Sequence, residues 1–155
     1  MPTDAQIAAK DIAEALLETT GNALMSGDFD AFAAVFHAPQ VMATMAGPVH
    51  METVDDMRRA FDGMHEHLTA MGVTHMYRTV VAAEFKAPSM IESTHVTELL
   101  QDGKRLNEPY PVFSVLKMID GNWKVTGGEY ALEASNGQAL AISRADASHR
   151  PEPTN

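Results

Sequence analysis

Three side chains in this sequence have the chemistry for proton transfer within one folded wall: His95, Tyr77 and Glu92. His95 sits in the run Met90 to Leu100, which reads as a strand. Alternation puts Ile91, Ser93, His95, Thr97 and Leu99 on one face and Met90, Glu92, Thr94, Val96 and Glu98 on the other. The first face mixes apolar and small polar residues, as a pocket wall does, and histidine titrates near neutrality. The same face also suits a histidine hydrogen-bonded inside a half-buried wall. If the second face is the concave one, Glu92 is the natural general base, its carboxyl pushed up by burial. Otherwise Glu92 is a solvated or dimer-facing carboxylate. Alternation alone leaves both faces open. Tyr77 alternates with His75 and Thr79. In a pocket its hydroxyl donates to a carbonyl or oxyanion, and elsewhere it is an amphipathic packing residue.

Other chemistries lack their residues. The sequence has no cysteine, so neither thiolate chemistry nor a disulfide framework is available. His65-Glu66-His67 looks like a ligand set, but on a helix residues i and i+2 point about 200° apart. No HExxH spacing, glycine-rich phosphate loop or nucleophile elbow occurs. We therefore expect no metal and no cofactor. A formal charge of −10 repels nucleic acid and anionic membrane surfaces, so neither is an expected partner. No secretory signal or run of membrane-spanning length is visible. With the absence of cysteine, this suits a cytoplasmic protein.

The elements that must hold these side chains follow from periodicity. Thr3 or Asp4 caps a first helix reaching about Met25, and Ser26-Gly27-Asp28 breaks it. Asp28 caps a second helix, in which Phe29, Phe32, Ala33 and Phe36 form one apolar face before Pro39. Gln40 to Ala46 and Val49 to Thr53 read as short strands about Gly47-Pro48. Thr53 and Asp56 make a capping box for a third helix. Along it Val54, Met57, Phe61, Met64, Leu68 and Met71 recur in steps of three and four, up to Gly72. From Val73 the period becomes two. Strands are expected over Val73 to Lys86 and over Met90 to Leu100, the latter closed by the turn Gln101-Asp102-Gly103-Lys104; a third runs to about Ile119 with a start roughened by Pro109 and Pro111, and the last is Trp123 to Leu132. Gln138 to Ile142 reads as a short strand or edge cover, and Ser148 to Asn155 as a polar tail.

The fold class is α+β. A cone-shaped, curved antiparallel sheet wraps around three helices of the N-terminal half, in the order α-α-β-β-α-β-β-β-β. Residues 4–133 form one domain and 134–155 a C-terminal extension or tail. Eleven methionines serve as adaptable core filling or as the walls of a tolerant pocket.

Residues 5–133 resemble a nuclear-transport-factor-2-like domain of the SnoaL-like kind. Ser26-Gly27-Asp28-Phe29-Asp30-Ala31-Phe32, Phe36 to Gly47, Thr53 to Phe61 and Tyr110 to Val125 carry the resemblance, the last with Asp120-Gly121-Asn122-Trp123. It implies a cavity in the cone and, in many members, a homodimer. Members include isomerases, dehydratases, epoxide hydrolases, cyclases and non-catalytic binding domains. The position of the ketosteroid isomerase base falls here on Thr44, that of its oxyanion tyrosine near Thr20, and that of its protonated acid near Ser114 or Phe113. None of these is an acid or base, so steroid isomerisation is not expected. Of a paired-histidine dehydratase set, His75, Tyr77 and His95 are the comparable residues. An epoxide hydrolase relay would need aspartates around Arg78, and the neighbouring strand has none.

The resulting expectation is a cavity for a small, mostly apolar molecule, lined by Phe32, Phe36, Thr44, Phe61, Met64, Ser114 and Trp123. If the chain is an enzyme, His95 is the acid or base, Tyr77 the donor and Ser114 a positioner. The alternatives are a non-catalytic binding domain and a homodimer or assembly through the sheet face. In the assembly case Arg78, Glu84, Glu92 and Glu98 would meet the partner.

Overall fold

The computed structural model of the chain describes residues 1–133 and 136–145. Helix α1 spans Asp4–Ser26, α2 Phe29–Val35 and α3 Val54–Met71. Each long helix begins in a capping box. Thr3 Oγ1 accepts from the Gln6 amide at 3.1 Å while Gln6 Oε1 accepts from the Thr3 amide at 2.9 Å. Thr53 and Asp56 repeat this at the start of α3. Gly27 and Gly72 close α1 and α3 at φ 76° and 73°, a conformation that a Cβ resists. No helix among the described residues is long and apolar enough to cross a membrane.

The strands are β1 (Gln40–Thr44), β2 (Gly47–Met51), β3 (His75–Ala87), β4 (Met90–Gln101), β5 (Lys104–Arg105), β6 (Tyr110–Ile119) and β7 (Asn122–Tyr130). They form one curved, unclosed sheet in the order β2-β1-β7-β6-β4-β3, with β5 beside β4. The sheet is mixed, because β1 runs parallel to β7. The rough start expected for the third long strand is a true break. Leu106 still donates to the Leu99 carbonyl at 2.9 Å, but Asn107 to Pro109 leave the ladder, and Asn107 accepts the Leu99 amide on its side-chain oxygen at 2.8 Å.

A β-bulge in β3 governs what faces inward. Val80 pairs with His95 and Ala82 with Thr94, so Val81 is an extra residue, 60% exposed. The insertion switches the alternation. Met76, Arg78 and Val80 point under the helices before it, and Ala83 and Phe85 after it. A second bulge, at Thr126 in β7, does the same opposite β6.

The C-terminal segment differs from expectation. Gly137–Ser143 is a helix, α4, and not a strand. Asn136 caps it, its side-chain oxygen accepting from the Gln138 amide at 2.8 Å. Ile142 and Ala145 are fully buried in the main core with Phe32, Met57, Phe61 and Met64. The polar tail expected over Ser148 to Asn155 lies outside the described residues.

Candidate functional site

The concave face of the sheet carries a polar island in an apolar surround. Cross-strand pairing builds it in rows. Arg78 on β3 pairs with Thr97 on β4, which pairs with Tyr110 on β6. In the next row His95 pairs with Val112, and Val112 with Tyr130 on β7. In the row after that Ser93 pairs with Ser114, and Ser114 with Gly128. Leu16, Leu24, Phe32, Phe36 and Met64 close over these rows from the helices. The buried face of β4 is therefore the one with Ser93, His95 and Thr97, and the face with Glu92 looks outward.

The cavity between the sheet and the helices has a volume of about 40 Å³. Arg78, Ser93, His95, Thr97, Tyr110, Ser114, Tyr130 and, from α4, Gln138 supply its polar lining. Arg78 is the main charge there. Its Nη1 donates to Thr20 Oγ1 at 2.6 Å and to the Leu17 carbonyl at 3.4 Å, which ties the guanidinium to α1. Among the described residues Nε and Nη2 make no hydrogen bond, and no carboxylate pairs with Arg78. Burial lowers the Arg78 pKa, and Tyr130 and Tyr110 pull it the other way. Those tyrosines do not neutralise it. Burial pushes the Tyr110 phenol up to about 12 against the opposing pull of Arg78, and Tyr130 rises for the same reason. Both hydroxyls stay protonated at neutral pH.

His95 is 2% exposed, and its Nε2 has no hydrogen-bond partner. Burial, and then the Arg78 charge, hold its pKa down to about 3, so the ring is neutral. Gln138 is 7% exposed, with Oε1 likewise unpartnered. The island thus presents spare donors on Arg78 and unpartnered ring or amide atoms on His95 and Gln138. Such groups carry a free-energy penalty inside a protein unless something meets them.

The structure gathers His95, Ser114, Phe32, Phe36 and Met64 around this cavity. It places the other sequence candidates elsewhere. Tyr77 is 53% exposed on the outer face of β3, its ring stacked near His75. Glu92 is also on the outer face, 3.7 Å from Lys86 Nζ. Thr44 ends β1 and, with Phe113, borders a shallow outer depression. Phe61 is core, packed on Phe29 and Phe32. Trp123 meets Phe85 edge-on at 6.0 Å, beyond the cavity. His65 and His67 diverge, the first to the Leu24 carbonyl and the second against Gly137. Arg78 points inward, which removes it from the outer-face assembly surface. Sequence reasoning did not single out Tyr130 and Gln138. Unbroken alternation would put Arg78 on the same face as Glu84, and the bulge at Val81 separates the two, turning Arg78 inward opposite Thr97.

No protein-family model matches the sequence, and no curated protein matches it. Solved structures do. A domain of unknown function with a cystatin-like fold from Nostoc punctiforme is 17% identical over 85% of this chain and 80% of its own, with a TM-score of 0.61. An NTF-2-like protein of unknown function from Shewanella oneidensis is 12% identical over 79% and 98%, at 0.60. An NTF2-like protein with a cystatin-like fold from Novosphingobium aromaticivorans is 16% identical over 88% and 89%, at 0.59. At these identities the likeness is one of fold, and the chain has the nuclear-transport-factor-2-like fold.

Proposed function

We propose that this chain binds a small molecule through a carboxylate or similar oxyanion seated on Arg78, with its apolar part against Leu24, Phe32 and Met64. One observation carries this reading: a deeply set guanidinium that spends a single nitrogen on its own protein and meets no carboxylate among the described residues. An arginine fork matches a carboxylate in two parallel hydrogen bonds. Desolvation makes that pairing stronger than at a surface. The expected mostly apolar ligand is thereby given a charged end. The test is a comparison of isosteres. Acetate and propionate should raise the melting temperature at millimolar concentration, and acetamide and propionamide should not. Equal effects of acid and amide would overturn the anion reading.

Acid–base catalysis by His95 is the second reading, favoured by its unpartnered Nε2 on the cavity wall. At about 3 its pKa makes it a weak base. An anion on Arg78 would cancel the second cause of that depression and raise it. Solvent deuterium entering the methyl group of bound pyruvate, whose ketone takes up the electron pair as an enolate, followed by NMR and abolished in H95A, is the outcome that supports it. No exchange above the uncatalysed rate would refute it.

Pairing with a second copy through the outer sheet face accompanies both readings. That face exposes Tyr77 and Val81, with Val96, Phe113 and Val115 half-buried between them. Sedimentation at micromolar concentration should give a dimer, and a strict monomer would refute it.

A further inference from the structure

We propose that Gln138 is a specificity-determining residue of the cavity, and that the bound molecule is a short-chain hydroxy acid whose hydroxyl donates to Gln138 while its carboxylate rests on Arg78. The proposal builds on the anion reading given above and adds the second group that the ligand must carry.

Gln138 does not belong to the sheet or to the three helices that shape the cone. It comes from α4, and that helix is held in place by several independent contacts. Gly63 of α3 lets the two helices approach closely, since a Cβ there would lie 3.3 Å from the Ala141 backbone and 2.9 Å from Arg144 Cδ. Gly137 lies so close under the His67 ring that a Cβ would collide with it. Arg144 pairs with Glu66 at 2.9 Å, and Arg59 Nε donates to the Arg144 carbonyl at 3.3 Å. The buried Ile142 anchors the same helix in the core. The Gln138 side chain is therefore held in the cavity wall, the residue more than nine-tenths buried and its Oε1 unpartnered. A buried acceptor with no protein donor is met by water or by a ligand donor.

The size of the cavity limits the molecule. Its 40 Å³ corresponds to about three water positions, or on the order of four to six non-hydrogen atoms. Glycolate and lactate have that size and carry both groups. A drug-sized ligand needs several hundred Å³ more, on the order of 300–1,000 Å³ in all. Tyr110 and Gln138 also form the wall shared with a larger outer depression lined by Leu106, Pro109 and Leu132. A longer substituent on the same acid would have to pass between those two side chains.

Isothermal titration of the full chain with glycolate against acetate, and lactate against propionate, tests the proposal. A neutral hydrogen bond into the cavity corresponds to a preference of about three- to ten-fold for the hydroxy acid in each pair. Q138M should erase that preference, bringing the glycolate-to-acetate and lactate-to-propionate affinity ratios to about one. Equal binding of both members of each pair by the wild-type chain overturns the Gln138 assignment and leaves the anion reading standing. A preference that survives in Q138M overturns the assignment too. Binding of none of the four acids overturns the anion reading and this inference with it. If Q138M does not fold, Q138L, which lacks the amide in the same way, takes its place in both pairs.

Discussion

Replacing Arg78 with methionine should stabilise the protein while removing its anion response. The substitution deletes a strong charge-assisted hydrogen bond to Thr20 Oγ1 at 2.6 Å and a marginal one to the Leu17 carbonyl at 3.4 Å. Together these contribute about 2–3 kcal/mol. It also removes a mostly buried guanidinium with no carboxylate among the described residues, a penalty of several kcal/mol. Thr20 is not orphaned, because its hydroxyl already lies 3.4 Å from the Leu17 carbonyl and donates there. Methionine fills the space of the arginine stem without strain. The difference favours the variant by about 1–2 kcal/mol, a rise of about 2–8 °C in Tm for a domain of this size. Calorimetry at pH 7.5 in a carboxylate-free buffer measures it. Acetate at ten times its Kd should then add about 1.4 kcal/mol to the wild type and nothing to the variant. A variant that melts lower by more than 2 °C would mean that Arg78 pins α1 to the sheet as a structural residue. A variant that keeps the acetate response would place the anion elsewhere.

Three further outcomes are expected. His95 has a folded pKa of about 3 against an ordinary 6.5, so the unfolded chain binds the extra proton. Stability from this group is present above pH 6.5 and falls towards pH 3 by up to about 1.4 kcal/mol per unit. Urea unfolding of H95Q should show a slope shallower by one proton between pH 6 and pH 4, and coincident slopes would refute the burial of a neutral ring. Gly63→Ala gains up to about 1 kcal/mol of helix propensity but sets a Cβ against Arg144 and the Ala141 backbone. Overpacking of about 1–3 kcal/mol should win, lowering Tm and speeding amide exchange in α4; a higher Tm would show that α4 yields freely. Tyr77→Phe and Glu92→Gln should leave acetate affinity within two-fold by titration, since both side chains lie across the sheet from the cavity.

Much of the fold was legible because its signals are local. The Thr3 and Thr53 capping residues, the glycines at 27 and 72, and the three-four spacing through α3 each act within a turn or two of chain. That Ser93, His95 and Thr97 share one face was legible for a related reason, since alternation fixes it within a single strand. What alternation cannot supply is which face is concave, because curvature depends on strands and helices distant in sequence. Glu92 and Tyr77 were chosen across that gap. Tyr130 was hidden at the far end of β7, beyond the bulge at Thr126 that switches which residues face inward. Gln138 was hidden in a seven-residue helix whose apolar run Ala139 to Ile142 is too short for its period to separate strand from helix. Its reason to be helical is the Asn136 cap together with a tertiary fit onto Gly63, and the second is invisible in sequence.

The bulge at Val81 gives β3 two reading frames. Upstream of it the even-numbered side chains are read by the cavity, and downstream the odd-numbered ones are read by the core. Both are meaningful only because one residue too many stands between them. Deleting Val81 would join Val80 to Ala82 and leave both halves in register, with Arg78 still opposite Thr97. The frame slips only if the surplus residue stays and is drawn flat into the ladder. Val81 would then stand opposite His95, Arg78 would turn out to solvent, and Tyr77 and Thr79 would turn in. The cavity would lose its cation with no side chain replaced, so the local conformation of one residue, and not its identity, decides what the cavity presents.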